Sequence, residues 1–535
     1  MATTSAPGTR HSTRWWILAV LCLSLFMVVV DNTIVNVALP TLSEVLSATT
    51  ANLQWIVDAY TLVFSALLLA FGYFGDRTGR RRALQLGLVV FALTSGLAAL
   101  SQNTEQLIGA RALMGVGAAL IFPATLAIII NVFTDVRERA LAIGIWSGVT
   151  GLAVAAGPVS GGLLLEHFWW GAIFLVNIPI AALALLAGRL LIPDSRDPRP
   201  GRLDRLGLAL STTGVAALVW AVIEAPHRGW TSPEVVVTGT SGLLLLAGFV
   251  AQEIRTRHPL LDVSLFTNPR FSAASVAIAS AFFGLFGFIF LITQYMQLVQ
   301  GYSPLQAGVR TVPFAVVTGI LSPLSITLMH RVGTKVVVAA GLLLMTAGFV
   351  LASTLAADSA YLGPVLVSMV VIAGGLGLTT SPATEAIMGA LPPARAGVGS
   401  AVNDTTRELG GTLGVALVGS VFASLYGPKV AEQLAGFPEQ VVALAEESMG
   451  AAVVVSQQVP DGEAVLQAAQ TAFMSGFGAG SLVAAGATAI GMLLALVWLP
   501  SHHRAVTPSP STSGSRSAAD PTLARTAART PGRDL

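Results

Sequence analysis

Apolar residues run through this chain in long blocks, separated by short polar stretches. A helix needs about 20 mainly apolar residues to cross a bilayer. Blocks of that kind cover roughly 15–39, 54–74, 82–100, 106–131, 139–164, 168–191, 205–224, 235–252, 271–298, 306–329, 335–355, 361–389, 397–424 and 471–499. The seventh and eighth are short and stand between two groups of six. The pattern predicts an all-α membrane protein with 14 transmembrane helices, arranged 6 + 2 + 6. The corresponding segments are an N-terminal tail (1–14), a six-helix half (15–191), two extra linker helices (192–270) and a second six-helix half (271–499). A polar loop, 425–470, interrupts the second half, and a Ser-, Thr- and Pro-rich tail, 500–535, has the composition of a disordered segment. The first block is too long for a cleaved signal peptide and contains an acid, so it reads as a retained span.

Charge placement supports that count. Every second loop is basic: Arg77, Arg80, Arg81 and Arg82; Arg137 and Arg139; Arg189, Arg196, Arg199, Arg202 and Arg205; Arg255, Arg257 and Arg270; Arg331 and Lys335; Arg395. The alternate loops hold only Arg228 and Lys429. Basic loops stay in the cytoplasm, and one missed span would scramble the alternation beyond it. Both termini are therefore expected in the cytoplasm, with the chain multi-pass in a bacterial cytoplasmic (inner) membrane.

Composition narrows the class. The chain is 54% hydrophobic and 10% charged, against about 25% charged in soluble domains. Cys22 is the lone cysteine, so no internal disulfide forms. Paired metal ligands, a Gly-x-Ser-x-Gly elbow and a phosphate-binding Gly-rich Lys loop are all missing. An enzyme or ATP-driven pump is not expected; nor is a metal, an organic cofactor or a nucleic-acid partner.

A charge in hydrocarbon costs about 3 kcal/mol on insertion scales, so each one needs a partner or a purpose. Asp31, Asp58, Arg111, Arg310, Asp404, Arg407 and Glu408 all fall within spans. Counting from the span ends puts Asp31, Asp58 and Arg111 in the outer half of the membrane. Arg111 either neutralises an acid structurally or takes part in proton transfer. Asp404 and Glu408 are spaced i, i+4 and share a helix face, with Arg407 in reach of Asp404. They form either a proton or cation site or a locked ion pair. Glu224 and Glu385 lie near span ends and are weaker candidates. Gln54, Trp55, Tyr60, Phe283, Phe286 and Gln294 are candidate cavity-lining residues.

Two glycine-rich segments stand out. Gly72 to Arg82 reads G-Y-F-G-D-R-T-G-R-R-R, and its Gly72, Gly75, Asp76, Arg77, Gly79 and Arg80 frame is more than a basic loop requires. A fainter echo, His330-Arg331-Val332-Gly333, closes the matching span of the second half. The fifth span carries Gly148, Gly151, Gly157, Pro158, Gly161 and Gly162, small residues that let helices approach closely.

Taken together, these residues resemble the major facilitator superfamily, in its fourteen-helix drug:proton antiporter branch. The resemblance covers the chain apart from its ends and 425–470. Asp31 to Pro40, D-N-T-I-V-N-V-A-L-P, looks like that branch's first-span signature. Gly72 to Arg82 looks like the gating loop. Arg111 to Gly117, R-A-L-M-G-V-G, looks like the fourth-span motif, whose arginine is linked to proton transfer. Gly157, Pro158, Gly161 and Gly162 look like the antiporter motif that tracks with export. By resemblance, Asp31, Asp58, Asp404 and Glu408 are acids of cation recognition or coupling. Many relatives carry an acid in the tenth span where this chain has Arg310, which argues against multivalent cationic substrates. The resemblance implies a monomeric, proton-coupled antiporter. It would export amphiphilic drugs or secondary metabolites by rocking its halves within the lipid bilayer. The alternative is a proton-coupled importer of a small molecule or peptide on the same fold.

Overall fold

The structure, a computed structural model, describes residues 11–196, 204–256, 259–391 and 396–500. Residues 1–10 and 501–535 of the expected tails lie outside it, as do Arg199, Arg202, Arg257 and Arg395. Among the described residues, fourteen helices are long and apolar enough to span a membrane. They are α1 (Thr13–Val45), α2 (Thr50–Thr78), α3 (Arg80–Ala99), α4 (Thr104–Val132), α5 (Arg137–His167), α6 (Ala172–Leu191), α7 (Arg205–Arg228), α8 (Pro233–Arg255), α9 (Pro269–Val299), α10 (Pro304–Val332), α11 (Thr334–Ala352), α12 (Tyr361–Gly389), α13 (Gly399–Gln433) and α14 (Gly462–Trp498).

Local chemistry sets many helix ends. Side chains of Thr49, Asn103, Asp135, Asp204, Ser232, Asn268 and Ser303 accept hydrogen bonds from first-turn N–H groups, satisfying donors that a helix start leaves free. Gly79 after α2 (φ 118°) and Gly333 after α10 (φ 91°) turn the chain through a positive φ that other residues resist. α2 and α10 occupy the same place in their respective halves. The weak sequence echo around Gly333 is therefore a repeated backbone turn.

Two regions differ from the sequence reading by more than four residues, and the seventh and eighth spans, expected to be short, are 24 and 23 residues long, longer than α3 and α11. The expected first span, 15–39, runs from His11 to Val45 with Pro40 inside the helix, which takes His11 to Arg14 out of the tail. Asp31 thus sits near the middle of α1 rather than in its outer part. The 425–470 segment, expected as an outside loop with partial helix, is largely helical. α13 continues to Gln433, α14 starts at Gly462, and short helices Glu439–Glu447 and Met449–Ser456 lie between them. Their acids face out, while Val441, Ala445, Met449, Ala452 and Val455 are buried. This cap docks on the opposite half: Ser448 Oγ lies 3.0 Å from Ser43 Oγ, and Thr50 Oγ1 donates to Glu447 O at 3.2 Å.

Helices α1–α6 and α9–α14 form the two halves. Among the described residues, their seams lie toward the side opposite the arginine-rich loops. In one seam, α2 packs on α13, with Gln54 donating to Val415 O and Ala416 O at 3.2 and 2.8 Å. In the other, α5 packs on the first turns of α10. Between the seams, Gln297 of α9 donates to Val37 O of α1 at 2.9 Å. Toward the arginine-rich side, no hydrogen bond or ion pair among the described residues joins the halves. The linker helix α7 lies along the first seam. There Val219 and Ile223 pack with Ala51 and Leu62 of α2 and Ala416 of α13, and Ser420 Oγ donates to Val222 O at 2.6 Å.

Candidate substrate and coupling site

Asp31 and Arg111 form an ion pair inside the first half. Arg111 Nη1 lies 2.6 Å from Asp31 Oδ2, and both side chains are fully buried. Arg111 Nε donates to Ile56 O at 3.1 Å, and the guanidinium carbon sits 4.2 Å above the Tyr60 ring. The other Asp31 oxygen accepts from Asn177 Nδ2 at 2.7 Å, and that amide also reaches Ser95 Oγ at 3.3 Å. One network thus ties α1, α2, α3, α4 and α6. A buried pair holds together only when such extra hydrogen bonds complete it. Asn177 and Ser95 were not singled out from the sequence, because a polar residue in an apolar run gives no sign of its partner.

Asp58 has a different setting. It is fully buried, and neither carboxyl oxygen has a hydrogen-bond partner among the described residues. Gln54, Asp58 and Thr61 follow i, i+4, i+7 and share one stripe of α2. Both neighbours on the stripe touch α13, through the Gln54 amide and through Thr412 Oγ1 to Thr61 Oγ1 at 2.9 Å. Asp58 is therefore set into the seam between the halves, while Asp31 is locked within one of them.

On α13, the charged group lies just beyond Thr412 toward the arginine-rich side, where the halves part. Arg407 Nη1 stands 3.9 Å from Asp404 Oδ1, and its guanidinium carbon 4.5 Å above the Phe282 ring of α9. Asn403 Nδ2 donates to Asp404 Oδ1 at 3.3 Å, and Thr384 Oγ1 donates to Asn403 at 3.1 Å. Glu408 Oε2 is buried with no partner among the described residues. Arg407 is 35% exposed and Asp404 16%, so this group is reachable where Asp31 and Asp58 are not.

The α5 motif has two working faces. A Cβ on Gly157 would collide with Thr33, and one on Gly161 would come within 2.6 Å of Ile34. The α1 signature therefore docks on these glycines. A Cβ on Gly162 would fall 2.5 Å from Leu305 Cα and Pro304 O, and Gly308 packs on the Pro158 carbonyl. The motif therefore lets the two halves close backbone to backbone in the second seam.

Among the described residues, the gating loop bonds to the first half and to the segment just after α6 in this state. Asp76 pairs with Arg80 (Nε to Oδ1 2.9 Å) rather than with Arg77, which is exposed. Arg80 also donates through Nη1 to Ala127 O at 3.3 Å and through its backbone N–H to Ser195 O at 2.9 Å. Gly72 packs on Pro123 and Gly75 on Ala83, so the α2 end lies close to its neighbours.

The expected lining residues divide. Phe286 borders a small cavity between the halves of about 20 Å3, with Asn32, Thr33, Asn36, Val57, Ile289 and Val415, room for about one water. Gln54 is a seam contact, Tyr60 lies beneath Arg111, and Gln294 Nε2 donates to Phe290 O. Trp55 Nε1 points to Glu224 of α7 at 3.4 Å. Arg310 lies over Tyr302, 3.8 Å from the ring centroid, near the start of α10 and away from the acids.

Residues 21–415 match a family model described as the Major Facilitator Superfamily. The chain is 40% identical over 480 residues to "Multidrug efflux pump LfrA" of Mycolicibacterium smegmatis, covering 89% of this chain and 95% of the relative. It is 34% identical to "Methyl viologen resistance protein SmvA" of Salmonella typhimurium, covering 86% and 93%. It is 32% identical to the "Tetracenomycin C resistance and export protein" of Streptomyces glaucescens, covering 93% of each. Among solved structures, a bacterial homologue of the human lysosomal transporter Spinster, inward-facing and unoccupied, superposes with a TM-score of 0.65 at 18% identity, over 92% of this chain and 98% of that one.

Proposed function

This chain belongs to the major facilitator superfamily, a family of transporters and not of enzymes, and from that membership we propose that it exports amphiphilic drug-like molecules in exchange for protons. The arginine-rich side is taken as cytoplasmic, by the rule that basic loops stay inside. The state described is then open to the cytoplasm and closed outside. A monomer in a bacterial inner membrane suffices for the cycle, since both halves of the site come from one chain.

The observation that carries this reading is Asp58. Its carboxyl lies in the outer seam with no donor for either oxygen. A charge held there would be unsolvated, and proton uptake removes that cost. When α2 and α13 part on the outer side, the stripe bearing Asp58 opens to the outside and can exchange its proton. Asp404 and Glu408, at the head of the cytoplasmic opening, receive the substrate. The Asp31–Arg111 pair keeps the first half rigid and holds Ile56, one turn before Tyr60, in place. Proton binding at Asp58 lets the seam close outside; the proton then passes inward toward Asp404 and Glu408 and leaves to the cytoplasm as substrate binds there, and substrate binding at α13 favours reopening of the seam. The names of the relatives, which describe multidrug efflux, methyl viologen resistance, and tetracenomycin C resistance and export, support this direction of transport.

The test uses purified protein in proteoliposomes containing fluorescent substrate, with ethidium as probe. An imposed pH gradient should drive ethidium against its concentration gradient, and a protonophore should abolish this. Transport indifferent to the protonophore would overturn the proton-coupled reading.

A further inference from the structure

The α13 group contains the parts of an organic-cation site, and one of the protein's own side chains occupies it. An acid and an aromatic face are the surroundings that recognise a quaternary or aromatic cation. Here Phe282 supplies the ring, Asp404 and Glu408 supply the acids, and Arg407 lies among them. Its hold is loose. The closest approach to Asp404 is 3.9 Å, longer than a charge-assisted hydrogen bond. The guanidinium stacks on Phe282 at 4.5 Å and remains one-third exposed. Arg111 offers the contrast, being bonded at 2.6 Å and fully buried. Phe282 meets Phe286 edge-on with centroids 5.9 Å apart, and Phe286 borders the cavity between the halves. The aromatic wall is therefore continuous from the guanidinium to that cavity.

We propose that Arg407 is a built-in placeholder cation. A substrate's positive group displaces its guanidinium from Phe282 and Asp404 and meets the unpartnered Glu408 oxygen, and the arginine swings back when substrate leaves. The proposal rests on the reading of Asp404 and Glu408 as substrate-facing acids, and it names the substrate class: monovalent, aromatic, organic cations. A single net negative charge is left once Arg407 is counted against Asp404 and Glu408 in their ionised forms. A monocation is thus the charge that the group can neutralise with Arg407 still nearby. The placeholder also keeps Asp404 from being left unpaired in the empty site, and it lowers affinity enough for release.

Binding of ethidium to purified protein in lipid nanodiscs tests this by fluorescence anisotropy. Arg407→Gln should bind about tenfold tighter than wild type, and millimolar guanidinium ion should compete with ethidium in that variant. Arg407→Lys, which keeps a tethered cation, should stay near wild type. Adding Phe282→Leu to Arg407→Gln should cancel the gain. Binding by Arg407→Gln that is equal to or weaker than wild type overturns the placeholder. If wild-type protein still drives ethidium uphill in that case, the exporter reading survives and only this inference fails. If neither protein binds nor exports ethidium, both fall.

Discussion

The hydroxyl oxygens of Thr61 on α2 and Thr412 on α13 stand 2.9 Å apart and make the innermost side-chain hydrogen bond of the α2–α13 seam. On its outer side Gln54 bonds the α13 backbone, and Asp58 sits between Gln54 and Thr61 on their shared stripe. On its inner side Thr412 Oγ1 also bonds Glu408 O at 3.0 Å, and the chain's reachable charges begin. This contact separates the closed part of the interface from the open part. It stands between an occluded acid and an accessible one.

Gln54 is expected to act as a latch. Gly419 leaves the berth that its amide fills, since a Cβ there would lie 2.6 Å from Gln54 Nε2. Gln54→Leu and Gly419→Ala should each favour the outward-open state. Spin labels placed on the outer ends of α2 and α13 should show a longer distance in both variants than in wild type.

The second seam should respond to a single methyl group. Gly162→Ala puts a carbon 2.5 Å from the α10 backbone, where no side chain can move aside. Outer closure should fail and export should fall at least tenfold. Folding should be kept, because the strain falls between the halves. A cysteine placed in the central cleft should then label from the outside faster than in wild type.

The Asp31–Arg111 pair should matter first to stability. Removing one partner of a buried pair costs about 3–5 kcal/mol, so Asp31→Asn and Arg111→Gln should each lower the melting temperature in detergent. Asp31→Asn together with Arg111→Gln leaves no bare charge and should recover most of the loss. A double variant as unstable as the two singles combined would show that the pair is not a closed unit.

Asp204, just outside α7, gives a pH effect of known sign. Burial pushes its carboxyl up, but the Gly207 N–H and the Gln252 amide outweigh this and hold it below the usual carboxylate range. A group held low in the folded state stabilises above its unfolded pKa, about 3.9. That contribution is lost as pH falls through the folded value. Asp204→Ala should cost about 1 kcal/mol at neutral pH, as for other helix caps, and less toward pH 3. Thermal melts across pH 3–7 would check this.

Much of this was legible in the chain. Long apolar blocks and alternating arginines are properties of segments, so they survive without knowledge of neighbours. The glycines of α5 were visible as a packing surface, but not that Gly157 faces Thr33 while Gly162 faces the other half. Asp31 and Arg111 are 80 positions apart, and no spacing rule joins residues on different helices. The apolar block 15–39 stops before Pro40, whereas α1 carries the proline through to Val45. The 425–470 segment was legible as a loop with some helix, but not as a docked cap, because its acids dominate a composition count while the buried face repeats only at helical spacing.

The central claim is that Asp58 couples the proton to the moving seam. It is tested most directly by Asp58→Asn in proteoliposomes, measured two ways. Ethidium counterflow needs only substrate exchange, while uphill export needs the pH gradient. The account predicts that Asp58→Asn keeps counterflow within about threefold of wild type and loses pH-driven uphill export, by at least about a hundredfold in rate, a barrier change of about 2.7 kcal/mol. Uphill export retained at the wild-type rate would contradict it.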